Sequence, residues 1–250
     1  MTIHERIEEL SKIGRNDDGS IYRKAGSQEY FDAVALVSDW MEKDGMGVSV
    51  DQHFNLIGTI PGTDPDAKPI VVGSHIDTVP TGGKYDGVLG VLGGMEAAKR
   101  LKGTTKHPIQ VVAFYDEEDS MSGSIGFTQS KSVYDIKAFL ELHVEQGPVL
   151  DKRGADIGVV EGIVGQRRCK FVITGQANHA GTTPMDMRDD ALVKASELVS
   201  YVYHRASIYD GLVATVGKLD VSPNLFSIIP GRVDLTLQIR DLDTSNIIRF

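Results

Sequence analysis

Ile70-Val71-Val72-Gly73-Ser74-His75-Ile76-Asp77 is the stretch that decides how this chain folds. It opens as a short, nearly all-apolar run and brings its polar groups, His75 and Asp77, only at its end. A run that is apolar on both alternating faces reads as a strand buried on both sides, the habit of parallel sheets covered by helices. A second such run lies at residues 109–114, and residues 87–101 between the two read as a helix. Residues 138–143 read as a third buried strand. Shorter strand-like runs lie at 47–50 and 56–60. These spacings predict an α/β domain with a mostly parallel sheet and helices on both faces.

Ahead of the sheet, Ile3, Ile7 and Leu10 share one face of a short helix. Residues 28–43 read as a second helix, with Phe31, Ala35 and Trp40 among its apolar positions and Gly45 and Gly47 as its stop. The pattern changes near Gly165. Strands are expected at 170–174, 213–219 and 232–240, and a helix at 189–205 with Leu192, Ala195, Leu198, Val199 and Val202 on one face. In 232–240, Val233, Leu235, Leu237 and Ile239 alternate with Arg232, Asp234, Thr236, Gln238 and Arg240, the period of a half-buried strand. A further helix opens near Asp241. The expected division is a larger α/β domain over 1–165 and a smaller α+β domain over 166–250.

The chain has 250 residues and a net charge of −9. The acidic excess lies before Gly165, which argues against nucleic acid, because phosphate backbones reward clusters of Lys and Arg. No apolar run reaches the ~18 residues that span a bilayer, and residues 1–13 lack the apolar segment of a signal peptide. A cytoplasmic protein with no membrane partner is expected. The single Cys169 excludes an internal disulfide and any multi-cysteine metal site. The pattern Gly-x-Ser-x-Gly of a serine hydrolase is not present around Ser74, Ser122 or Ser124.

The chemistry-bearing residues gather at expected strand ends. His75 and Asp77 follow the first buried strand, and Asp77 can orient the His75 imidazole. Asp86 stands just before a helix, either as its N-cap or as a carboxylate aimed into the same crevice. Asp116-Glu117-Glu118-Asp119 follows the second buried strand, either as a solvated face or as a repelling cluster that a dication would neutralise. His143 ends the third. Parallel strands bring their carboxyl ends to one edge, where ligands bind in open α/β sheets. Imidazole and carboxylate together make a zinc- or manganese-type donor set. A carboxylate outside that set can act as general base.

Four segments carry a closer resemblance: residues 73–90 around His75, Asp77 and Asp86; Asp116-Glu117-Glu118; Leu142-His143-Val144-Glu145-Gln146-Gly147-Pro148; and residues 175–185 around His179. Together they resemble the hydantoinase/carbamoylase branch of the co-catalytic zinc aminoacylase/carboxypeptidase family. That resemblance implies a metal-dependent amidohydrolase acting on a carbamoyl or ureido group of a small carboxylate substrate. It implies two divalent cations, zinc first, with manganese or cobalt suited to the same donors. One would be held by His75, a bridging Asp86 and His143, the other by Asp86, Glu118 and a further histidine. Glu117 would be the general base and Asp77 the support of His75. His179 would reach the active site of a partner subunit in a homodimer formed through the smaller domain. Gln166, Asn224, Ser227 and Arg240 would bind substrate, with Arg240 on the substrate carboxylate.

The chain departs from the resemblance at three places. It ends at Phe250, whereas the family is longer and carries its last metal-binding histidine beyond that point. Ser227 stands where the family repeats asparagine. Asp119-Ser120-Met121-Ser122 replaces the usual sequence after the paired glutamates. Two further readings follow: a non-catalytic remnant of such an enzyme, or a dipeptidase or aminoacylase relative, which His143 disfavours because those relatives place an acid there.

Overall fold

The computed structural model describes residues 1–130 and 135–250. The chain divides into two compact units, Met1–Ala155 and Asp156–Phe250. The division falls ahead of the change of sequence pattern at Gly165.

In the first unit, α1 (Ile3–Leu10) and α2 (Gln28–Lys43) precede β1 (Gly47–Val50), β2 (Leu56–Ile60) and β3 (Ile70–His75). Then come α3 (Val88–Leu101), β4 (Ile109–Phe114), α4 (Ser122–Ser130), β5 (Ala138–Leu140) and the short α5 (Val149–Arg153). The five strands form one sheet in the order β1-β2-β4-β3-β5. β3 pairs parallel with β4 and β5, while β2 pairs antiparallel with both β1 and β4. Four strands therefore run one way and β2 runs against them. The sheet is mostly parallel, as expected, with one reversed strand that hydrophobic periodicity does not reveal.

Alternation along the strands divides the core. Leu56, Ile60, Ile109, Val111 and Ala113 pack against Ile7, Leu10, Trp40, Val91, Leu92 and Met95 of α1, α2 and α3. The opposite pleat, Ile57, Val71, Val112 and Phe114, packs against Phe127 of α4. Both faces are covered, one more thickly than the other. α2 buries Tyr30, Ala33, Val37, Trp40 and Met41. The expected face was partly misread: Trp40 is core, but Phe31 is 49% exposed and Ala35 faces outward. Its N-cap is Ser27, whose hydroxyl accepts from Tyr30 N, and that start sets a helical phase with Phe31 off the sheet.

The expected strand at 138–143 is also corrected. β5 stops at Leu140, is exposed along its length and forms the edge of the sheet beside β3. His143 thus sits on an irregular segment past the strand. One tether holds that segment: Ser74 Oγ donates to Glu141 Oε1 at 2.7 Å.

In the second unit, β6 (Gly165–Thr174), α6 (Ala191–Ala206), β7 (Val213–Ser222), β8 (Arg232–Asp241) and α7 (Thr244–Arg249) build a three-stranded antiparallel sheet in the order β6-β8-β7. Val233, Leu235, Leu237 and Ile239 of β8 are all buried, matching their alternation, and pack with Ala191, Ala195 and Val202 of α6. Leu192, expected on that face, is exposed; Ala191 is buried in its place. Asp190 caps α6, its carboxylate accepting from Leu192 N and Val193 N at 2.8 and 3.3 Å. No helix among the described residues is long and apolar enough to cross a membrane.

Candidate metal centre

β3 delivers His75 as its last residue. The ring is 2% exposed, and its Nδ1 lies 3.0 Å from the backbone oxygen of Asp77. That contact fixes the ring and turns Nε2 toward Glu117, whose Oε2 is 3.5 Å away. A second-sphere carbonyl of this kind sets the tautomer of a ligand histidine.

Asp77 is itself 2% exposed, and its carboxylate is placed by the loop after β4: Oδ2 accepts from Glu118 N at 3.1 Å. Its Oδ1 lies 3.7 Å from His75 Nδ1 and accepts no hydrogen bond among the described residues. The support of His75 by residue 77 therefore runs through the main-chain oxygen, with the carboxylate just outside contact.

Asp86 is not the N-cap of α3. The helix starts at Val88 and its cap is Gly87, at φ +64°. A side chain at 87 would meet the His75 ring at 2.4 Å, so only glycine allows the helix to begin against that imidazole. The Asp86 carboxylate is left free to face His143, whose Nε2 is 3.3 Å from Asp86 Oδ1. The His75 and His143 rings stack with centroids 5.9 Å apart. Gly90, one turn into α3, lets the 141–143 segment pass close by: a Cβ there would strike Leu142 O at 2.4 Å.

Gln146 was not among the residues the sequence singled out. Its Nε2 donates to both oxygens of Asp86, at 2.9 Å each, from a backbone at φ +56°. The signal was its place three residues after His143, in a segment quoted for its histidine alone.

The loop after β4 turns at Asp116, where φ is +55°. Non-glycine residues held in that region cluster at functional sites. The turn leaves Glu117 and Glu118 on the His75 side. Glu118 is raised above the ordinary carboxyl pKa, first by burial and then by the charges of Asp86, Glu117 and Asp77; His75 opposes the rise. The acidic run is thus no solvated face at Glu118. Asp116 and Asp119, with Glu118 and Asp77, line one side of a cavity of about 250 Å³ whose other wall includes Tyr22 and Lys24.

Two donor groups result, each with its atoms within 4.8 Å of one another: His75, Asp86 and His143; and His75, Glu117 and Glu118. Imidazole and carboxylate donors at that spacing fit a divalent cation of the zinc or manganese kind. With its Nδ1 engaged, His75 has one nitrogen to give, so the two groups share a single imidazole. Glu118 groups with Glu117 on His75, and the charge of Asp86 also acts on it.

In the second unit, Gln166 on β6 stands directly opposite Arg240 on β8. Gln166 Oε1 accepts from Gln238 Nε2 at 3.1 Å, and both Gln166 and Arg240 are exposed. His179 pairs with Ile228 in an isolated bridge, and Ala180 N donates to Ser227 O at 2.8 Å. His179 and Ser227 are neighbours, with Asn224 at φ +56° leading into the same turn. Gly181 N donates to His179 Nδ1 at 3.1 Å, which leaves Nε2 outward.

A histidine- and carboxylate-lined strand edge on an α/β sheet defines a candidate divalent-metal protein of the α/β class. The family model described as peptidase family M20/M25/M40 matches residues 71–228. An N-carbamoyl-L-amino acid amidohydrolase of Geobacillus stearothermophilus is 35% identical over 280 aligned positions, spanning 95% of this chain and 68% of the relative. An allantoate amidohydrolase of Bacillus subtilis is 36% identical over 281, spanning 96% and 68%. The crystal structure of a hydantoinase/carbamoylase family amidase from Burkholderia ambifaria superposes with a TM-score of 0.83 at 29% identity, covering 99% of this chain and 70% of that one. The chain belongs to peptidase family M20/M25/M40, in its hydantoinase/carbamoylase branch.

Proposed function

We propose that this chain carries the metal-binding and substrate-binding residues of an amidohydrolase that cleaves a linear carbon–nitrogen bond of a small carboxylate, such as an N-carbamoyl-L-amino acid or allantoate. The observation that carries the proposal is the convergence of His75, Asp86, His143, Glu117 and Glu118 on one strand edge. The amidohydrolase names of its relatives give the bond class.

His75, Asp86 and His143 would hold one divalent cation; Glu118, which lies with Glu117 and His75, would serve a second, together with Asp86 and a further histidine in the division the resemblance implies. Zinc is the first candidate, and manganese or cobalt suits the same donors. Cations bound there polarise the scissile carbonyl and acidify the attacking water.

The chain's own groups do the rest. Glu117, whose side chain is 40% exposed, reaches solvent while lying against His75. It takes the proton from water and returns it to the departing nitrogen. Asp77 keeps the His75 ring in place through its carbonyl. Arg240 holds the substrate carboxylate in a charge-assisted fork, and Gln166, Asn224 and Ser227 bind the remaining polar groups. His179 of a second copy in a homodimer donates to the developing oxyanion.

The test is Glu117→Gln. After zinc or manganese loading, hydrolysis of N-carbamoyl-L-amino acids and allantoate is measured alongside bound metal. The variant is expected to keep its metal and lose about 10²–10⁴ in kcat, the usual share of a general base. A variant turning over near the wild-type rate would remove Glu117 from that role.

A further inference from the structure

We propose that Arg23 is a positioning residue of the metal centre: from inside the core it fixes the turn 76–78, and so the carbonyl and carboxylate of Asp77 that face His75. The inference rests on reading His75 as a metal ligand.

Arg23 has no exposed surface, although it carries one of the most strongly hydrated side chains. Its Nε donates to Ile76 O at 2.9 Å. One terminal nitrogen reaches Ile13 O and Leu10 O at 3.3 and 3.4 Å, and the other, Nη2, has no partner among the described residues. The backbone closes the other side of the turn. Arg23 N donates to Thr78 Oγ1 at 2.8 Å, and Thr78 N donates to Arg23 O at 3.1 Å. Thr78 Oγ1 donates onward to Ile21 O at 3.0 Å. The residues on both sides of Asp77 are therefore tied to one buried arginine.

Charge points the same way. Asp77 is a buried carboxylate whose Oδ1 accepts no hydrogen bond among the described residues. A buried charge without compensation is strongly unfavourable. Burial draws the Arg23 guanidinium down to about 10, and the Asp77 charge works against that fall. The Arg23 guanidinium and the Asp77 carboxylate are both buried, and each feels the other's charge. By donating to Ile76 O, the guanidinium holds the turn whose residue-77 carbonyl meets the His75 ring.

The test is a double-mutant cycle on the full chain with R23M, D77N and the double variant. Stability is read by urea unfolding, zinc affinity by competition with a chromogenic chelator, and ligand geometry by the visible spectrum of the cobalt-loaded protein. R23M is expected to weaken zinc binding by about tenfold or more, as loss of a supporting partner does, and to alter the cobalt spectrum. D77N keeps the residue-77 carbonyl that meets the His75 ring, so R23M should weaken zinc binding in that background too. Zinc affinity and cobalt spectrum unchanged in R23M would overturn the proposal. If R23M does not fold, recovery of folding in the double variant upholds the pairing, and its continued failure overturns it. A wild-type chain that binds no zinc defeats the metal reading and this proposal together, whereas a zinc-binding wild type with an indifferent R23M defeats this proposal alone.

Discussion

Asp86 Oδ1 lies 3.3 Å from His143 Nε2, although one residue precedes a helix and the other follows the edge strand. Gln146 holds that carboxylate from a third point, with both of its oxygens at 2.9 Å. Asp86 is thus oriented before any ligand arrives. Asp86→Ala is expected to abolish tight divalent binding at the His75–Asp86–His143 group, which would be left with two imidazoles and no carboxylate. Elemental mass spectrometry of the dialysed variant checks it; metal content equal to wild type would exclude Asp86 as a ligand.

Gly87 is expected to tolerate no side chain. Alanine there combines a positive φ with a Cβ 2.4 Å from the His75 ring. Gly87→Ala should cost at least ~1–3 kcal/mol from backbone strain alone, measured by urea unfolding, and should displace His75 and lower metal affinity as well. A variant of native stability and affinity would show that the start of α3 can move away from the imidazole.

Arg240 faces Gln166 across the β6–β8 ladder and is solvent-exposed, which leaves its guanidinium open to the proposed substrate carboxylate. Charge-assisted hydrogen bonds of this kind are worth ~1.5–3 kcal/mol, so Arg240→Ala should lower kcat/KM by about 10- to 100-fold, chiefly through KM. Lysine at 240 keeps the charge and loses the fork, and should recover only part. Steady-state kinetics on a substrate and on its amide, which lacks the carboxylate, separates the cases: the variant should no longer distinguish the two.

The pair Arg6–Asp44 ties α1 to the end of α2. Arg6 Nη1 donates to Asp44 Oδ2 at 2.7 Å, both side chains are buried, and Lys99 of α3 adds a third contact at 2.9 Å. Burial pushes the Asp44 carboxyl upward, but the hydrogen bonds from Arg6 and Lys99 outweigh it and hold the net value below the ordinary one. A carboxyl lowered in the folded state contributes stability that is present above its unfolded pKa, near ~3.9. That contribution is lost as pH falls through the folded value. Asp44→Ala should cost about 3–5 kcal/mol at neutral pH, because Arg6 is left buried and unpaired. The wild-type advantage should shrink below about pH 4. Urea unfolding across pH checks the sign; an advantage that grew with acid would refute it.

Leu235 of β8 is 2% exposed and packs beneath α6. Leu235→Ala should destabilise the second unit by ~2–5 kcal/mol. Hydrogen exchange resolved by segment should show the loss in β6–β8 and not in β3 or β4.

Much of this architecture was legible from residue order. The nearly all-apolar runs at 70–73 and 109–114 read as buried strands, and the period of two in 232–240 marked the buried face of β8 residue by residue. His75, Glu117, Glu118 and His143 could be named because each follows a largely apolar run at a point where the chain must turn, and Asp86 because it ends a glycine loop just before a helix. Less legible were the features that depend on partners far away in sequence. The reversal of β2 is a matter of hydrogen-bond register, which hydrophobic periodicity does not encode. Phe31 and Leu192 lie outside the core because each helix's rotation is set by its cap and by what it packs on, while apolarity alone suited either phase.

Sequence by itself determined the donor types at the strand edge and the order in which they arrive, since covalent order and local periodicity are properties of the chain. Tertiary structure decided which of them meet. It freed Asp86 by making Gly87 the cap, recruited Gln146 to hold it, and gave Glu118 to the His75–Glu117 side. It also set a buried arginine from residue 23 behind Asp77. Those outcomes turn on distances of a few ångströms between segments that only packing brings together, where burial makes each unpaired charge costly enough to select one arrangement.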